Sequence, residues 1–138
     1  MKYLFILALL CLSANIMAQT ATTTASNPRI FKMDSVTLKQ YFFVMLEKGP
    51  RRGEAIDSTL RAKLQEGHMA NIKRLVREGK ILVAGPFDDD GNWRGIFIFD
   101  CDTKEEVEKL LATDPLIKAG RLGYEIHPWW TGMNSVFK

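Results

Sequence analysis

The run "QYFFVML", Gln40 to Leu46, constrains the fold more than any other stretch of the chain. Every residue after the glutamine is aromatic or aliphatic, so a strand here presents apolar side chains on both of its faces. A sheet built around such a strand needs cover on each side.

The segments that follow supply the rest of the sheet and one layer of that cover. "EKGPRRGE" ends the first strand, with Gly49, Pro50 and Gly53 as punctuation. Asp57 or Ser58 then caps a helix running to about Glu78, with Leu60, Leu64, Ile72 and Leu75 along one stripe and Gly79 as its stop. "KILVAGPF" and "WRGIFIFD" flank the Asp-Gly turn of "DDDGNW", which predicts an antiparallel hairpin. Thr103 with Glu106 three residues on is a capping box, and it opens a second helix with Val107, Leu110 and Leu111 inward. Pro115 is expected to end that helix. "LGYEIHPW" alternates Leu122, Tyr124 and Ile126 inward as the last strand. The order β-α-β-β-α-β predicts an α+β, ferredoxin-like protomer with an antiparallel four-stranded sheet. Two helices cover only one sheet face, so the other is expected to meet a second copy, sheet to sheet, in a homodimer.

The N-terminus reads as an address rather than as structure. Lys2 precedes an unbroken apolar run, Tyr3 to Leu12, that is well short of the ~20 residues a membrane crossing needs. This predicts a signal peptide over residues 1–18, cut after Ala18, and hence a periplasmic or secreted protein with no membrane span. Residues 19–36, rich in Thr, Ala and Ser near their start, are expected to be a flexible leader. The domain is then 37–131, followed by a tail over 132–138. The chain carries 19 basic and 16 acidic residues, a net charge of +3. That is too little for an electrostatic nucleic-acid surface. Cys101 is the only cysteine beyond the expected signal peptide. Its acidic neighbours Asp100 and Asp102 disfavour the thiolate a nucleophile needs.

Two polar residues break the apolar stripes. His68 falls between Leu64 and Ile72 on the first helix, directly after Gly67, which costs a helix about 1 kcal/mol relative to alanine. Asp114 follows Val107 and Leu111 at helical spacing, at the end of the second helix's inner stripe, where burial and the negative helix terminus both disfavour a carboxylate. One explanation serves both: Asp114 accepts a hydrogen bond from one His68 ring nitrogen. Such a bond fixes the tautomer and raises the basicity of the other nitrogen, as a general base near neutral pH requires. From the spacing alone the structural reading is the stronger, since a lone histidine on an apolar stripe is more often a satisfied core residue.

Other signals point less far. Arg61 lies two turns before His68, close to its face, and suits an anionic substrate as well as a solvated charge. Trp93, Trp129 and Trp130 suit either an apolar pocket at the dimer seam or interface packing there. The hairpin "RGIFIF" places Ile96 and Ile98 where an RNA-recognition sheet needs stacking aromatics; Phe97 and Phe99 fall on the opposite face. "DDDGNW" starts like a calcium loop but has Trp93 and Phe99 where glycine and glutamate are required. His127 alternates away from His68 and Asp114, so no metal set forms. No cofactor motif is visible.

Taken together, "EGHMANIKRLVREGKILVAGPF" and "ATDPLIKAGRLGYEIHPW" resemble the YCII-related (YciI-like) family of the dimeric α/β-barrel superfamily. The resemblance rests on His68, on Gly85-Pro86 after the second strand, and on Asp114-Pro115 with Lys118, Ala119 and Gly120. It implies a ferredoxin-like protomer, a dimer with facing sheets, and an enzyme whose His and Asp, here His68 and Asp114, form a catalytic pair. On this footing the expected function is acid–base chemistry of lyase, isomerase or hydrolase type on a small organic, possibly cyclic, molecule. Gly85, Pro86, Arg61 and Trp129 are expected to bind it. The alternative is a non-catalytic homodimer in which the pair merely orients a small ligand.

Overall fold

A computed structural model describes residues 29–135. The expected signal peptide, most of the leader and residues 136–138 lie outside the described residues. Five strands and three helices follow in the order β1 (Ile30–Met33), β2 (Val36–Lys48), α1 (Ser58–Arg77), β3 (Ile81–Pro86), β4 (Trp93–Phe99), α2 (Lys104–Leu111), α3 (Pro115–Lys118) and β5 (Leu122–Gly132). The sheet runs β3-β4-β2-β5 with every pairing antiparallel, the ferredoxin-like arrangement, and β1 pairs with the start of β2.

The all-apolar stretch of β2 is the central strand, as its composition demands. On one face Phe42, Val44 and Leu46 join Phe97 and Phe99 of β4 in the core, where Leu75 of α1, Val107 and Leu111 of α2, and Leu116 of α3 close over them. Burying each such side chain contributes roughly 1.5–3 kcal/mol. On the other face of β2 lie Tyr41, Phe43 and Met45, in register with Ile98 and Ile96 and with His127 and Trp129 of β5. Phe97 and Phe99 are therefore core residues, and the open face carries Ile96 and Ile98 in their place.

Three local readings are corrected. The leader does not extend to residue 36: Ile30–Met33 form a strand, and buried Arg29 binds Asp100 at 2.5 Å, Asp102 at 2.7 Å and the carbonyl of Gln40. The sheet thus has five strands instead of four. Leu60 stands in the first turn of α1 at 47% exposure, so the buried stripe begins at Leu64. Finally, Pro115 does not terminate α2. That helix has already ended at Leu111, and Pro115 opens the separate turn α3 with Asp114 as its N-cap, the first helical position being the one where proline's missing N–H is harmless.

The caps of α1 agree with the sequence. Asp57 accepts from the Leu60 amide at 3.1 Å, and Gly79 takes the left-handed conformation, φ 70°, just past the helix. Among the described residues no helix is long and apolar enough to cross a membrane.

Gly67 shows why α1 tolerates a poor helix former. A Cβ built there meets Pro115 Cγ at 2.9 Å, so the missing side chain is the space into which α3 packs. The same contact brings Asp114 against His68. Gly67→Ala improves helix propensity by about 1 kcal/mol, yet the rigid proline ring has nowhere near to go. We expect a net loss of about 1–2 kcal/mol in urea denaturation; a net gain would mean that α1 and α3 are loosely packed.

Candidate functional site

The site begins with the carboxylate of Asp114, which is 1% exposed. Oδ1 accepts from the backbone amides of Leu116 at 2.9 Å and Ile117 at 3.4 Å, capping α3. Oδ2 accepts from His68 Nδ1 at 2.7 Å and from Asn71 Nδ2 at 3.3 Å. Asn71 is itself held by Arg74, which donates to its Oδ1 at 2.8 Å. The expected awkward position at the end of α2 therefore resolves into a helix start, where backbone N–H groups favour a negative charge.

Burial pushes the Asp114 carboxyl up. The bonds from His68, Leu116 and Asn71, with the attraction of the His68 ring, outweigh it and hold the group below its ordinary value. Asp114 is thus an acceptor at neutral pH, and Nδ1 carries the proton that bridges the two residues. The ring lies 6.3 Å from that of Phe97, centroid to centroid, and lines a cavity of about 400 Å³. Nε2 makes no hydrogen bond among the described residues, so its lone pair is the basic atom available to a ligand.

The cavity sits between α1 and the end of the sheet. Met69 and Ile72 flank His68 on one wall, Ala84, Gly85 and Pro86 form the β3 rim, and Leu46, Gly95 and Phe97 form the floor. Of the residues expected to serve a site, His68, Gly85 and Pro86 line this space, and Asp114 lies directly behind the ring. Arg61 lines a second cavity of about 330 Å³ that shares Arg52, Gln65 and Leu116 with the first. Trp129 is not among them. It lies on the opposite face of the sheet, its ring edge-on to Phe43 at 6.2 Å. His127 is on that face too, 3.4 Å from Glu125, separated by the sheet from His68.

Two lesser expectations meet their geometry here. Burial, reinforced by Glu106, pushes the Cys101 thiol up to about 11, which keeps it protonated and unreactive. Asp89 Oδ1 accepts from the Gly91 amide at 2.7 Å, an ordinary turn closure in the hairpin loop.

Sequence reasoning missed Asn71 and Arg52. The first was detectable in principle, because it stands three residues after His68 and so on the same side of α1. The second lies in the loop between β2 and α1, where no periodicity marks a side chain's direction.

The lowered Asp114 value sets a pH window. A carboxyl depressed in the folded state stabilises fully above the ordinary aspartate value of 3.8, and its contribution disappears as pH falls through the lower folded value. The stability difference between the protein and Asp114→Asn should therefore shrink as pH falls from about 5 to 2 in denaturant titrations; a constant difference would contradict the bonding described.

The family comparison agrees with this architecture. The YCII-related domain matches residues 42–130. Among solved structures, the 5-chloro-2-hydroxyhydroquinone dehydrochlorinase of Burkholderia phenoliruptrix AC1100, in complex with 2,5-dihydroxybenzoquinone, is similar at 24% identity and a TM-score of 0.48. That match covers 64% of this chain and 92% of the other. No curated protein matches the chain. With the family match spanning well over half its length, from within β2 to near the end of β5, the chain belongs to the YCII-related family.

Proposed function

We propose that the protein is an acid–base enzyme in which His68 Nε2 takes a proton from, or returns one to, a small organic molecule bound in the cavity. The observation that supports this most is the 2.7 Å contact between His68 Nδ1 and Asp114 Oδ2, with the ring presented to that cavity. A carboxylate on Nδ1 holds the imidazole in one tautomer and one orientation, and it stabilises the imidazolium that forms when Nε2 accepts a proton. The protonated ring then serves as the acid for the return step. Elimination, isomerisation and hydrolysis all draw on such a proton relay. Gly85 and Pro86 shape the wall against which the ligand lies.

The working unit is a homodimer packed through the open sheet faces, where Phe43, Met45 and Ile96 are only half-buried in the single chain. The activity belongs outside the cytoplasm, on the strength of the apolar N-terminal run.

Two experiments test the proposal. Cyclic ketones, lactones and hydroxylated aromatics incubated with the protein in D2O and followed by proton NMR should reveal C–H exchange or elimination. His68→Gln should slow it by roughly 10²–10⁴-fold while the fold persists. Turnover indifferent to that change removes His68 from the chemistry, and a bound compound recovered without exchange or conversion leaves a ligand-binding role. Light scattering at micromolar concentration should give the mass of two chains; a single-chain mass contradicts the facing sheets.

A further inference from the structure

The two cavities are continuous in composition and one-sided in charge. Arg52 lines both, Arg94 lines the first, and Arg61 and Arg121 line the second. No aspartate or glutamate lines either one, and among the described residues none of the four arginines is within ion-pair distance of a carboxylate. The hydrogen bonds of Arg94 go to the carbonyls of Asp89 and Gly91, and those of Arg121 to the carbonyls of Arg51 and Glu54. The guanidinium groups of Arg52 and Arg61 have no hydrogen-bond partner among the described residues; their backbone amides bond to the carbonyls of Gly49 and Asp57. The nearby Glu54 is engaged by Arg51 at 2.8 Å.

The Arg52 and Arg121 part of this cluster is held in place, whereas Arg61 is exposed on α1. Arg52 sits in the loop between β2 and α1, and that loop is pinned on both sides. The Gly49 amide donates to the Arg121 carbonyl at 3.1 Å, the Arg51 amide donates to the Gly120 carbonyl at 2.8 Å, and the buried Arg121 guanidinium closes the loop from beneath. Burial, with the guanidinium groups of Arg94, Arg121 and Arg61, holds Arg52 below the ordinary arginine value. Like charges gathered at a half-buried point destabilise the free protein, and a bound anion relieves that repulsion. Arginine also suits the task geometrically, since its planar fork grips a carboxylate through two parallel hydrogen bonds.

We infer that the ligand is a small cyclic carboxylic acid, its carboxylate held by Arg52 with Arg61, Arg94 and Arg121 around it, and its apolar ring extending over Leu116 into the His68 cavity. The placing of the reacting carbon near His68 Nε2 rests on the acid–base reading given above; the anion site rests on the arginines alone. Each cavity is of the size that takes a compact ligand, within the usual range of roughly 300–1,000 Å³. Neutral rings of the same shape should bind poorly, because they leave the clustered charge uncompensated.

Benzoate and its neutral isostere benzamide separate the possibilities. Titrations into the full protein, followed by amide NMR and calorimetry, should show benzoate binding at least about tenfold more tightly than benzamide, with shifts at Arg52, Arg61 and His68. Arg52→Met should weaken benzoate by about tenfold or more while leaving benzamide unaffected, and Arg61→Met should weaken it in the same direction. Equal affinity for the two compounds, no binding of either at millimolar concentration, or benzoate affinity unchanged in both arginine variants overturns the inference. His68→Gln keeps the two proposals apart. If benzoate binding depends on Arg52 but turnover is indifferent to His68, the anion site stands and only the acid–base reading falls.

Discussion

The carboxylate of Asp114 is the point at which the fold and the site depend on each other. One oxygen satisfies the amides that open α3, and the other holds His68 and Asn71 of α1. A buried carboxylate without such partners is expensive, whereas one accepting several hydrogen bonds links the elements that donate them. Gly67 gives Pro115 the room to bring this carboxylate to the ring. The imidazole is thereby fixed from behind, with its free nitrogen toward the cavity. A packed, hydrogen-bonded support of this kind fixes a ring's orientation more tightly than a lone polar contact does.

Polar groups on this side of the sheet are otherwise satisfied: among the described residues no buried side-chain nitrogen or oxygen lacks a partner. The arginines near the cavities stand out against that background because, among the described residues, their guanidinium groups bond to backbone carbonyls or to nothing and none is within ion-pair distance of a carboxylate. Beside the apolar walls of the cavity that His68 lines, they give the site a positive side. A ligand with one anionic end and one apolar body fits that polarity, and the half-buried setting strengthens every charge contact relative to open water.

Much of the architecture was legible because period and punctuation agree. The apolar stretch of β2, the cap at Asp57, the stop at Gly79, the capping box at Thr103 and the Asp-Gly hairpin each read out directly, and together they fix the element order. His68 was legible as an interruption of an apolar stripe. Asp114 was found by the same logic but for a partly mistaken reason. Helical spacing carried the second helix through Asp114, whereas the chain breaks after Leu111 and restarts at Pro115, so the carboxylate caps a new turn. The strand at Ile30–Met33 was hidden because Arg29 secures it to Asp100, a partner 71 residues away. Arg52 was hidden because loop residues carry no periodic signature. Trp129 was read at the dimer seam, and alternation turns it to the open face beside Phe43, away from the His68 cavity.

The central claim is that Asp114 fixes the tautomer of His68 and leaves Nε2 free toward the cavity. Long-range proton–nitrogen correlation NMR on protein labelled at its histidine rings measures this directly, at alkaline pH where the imidazole is neutral. The account predicts that His68 carries its proton on Nδ1, with Nε2 resonating as a bare nitrogen, and that Asp114→Ala relaxes this preference. A His68 ring protonated on Nε2, or one whose tautomer is indifferent to the loss of Asp114, would contradict it.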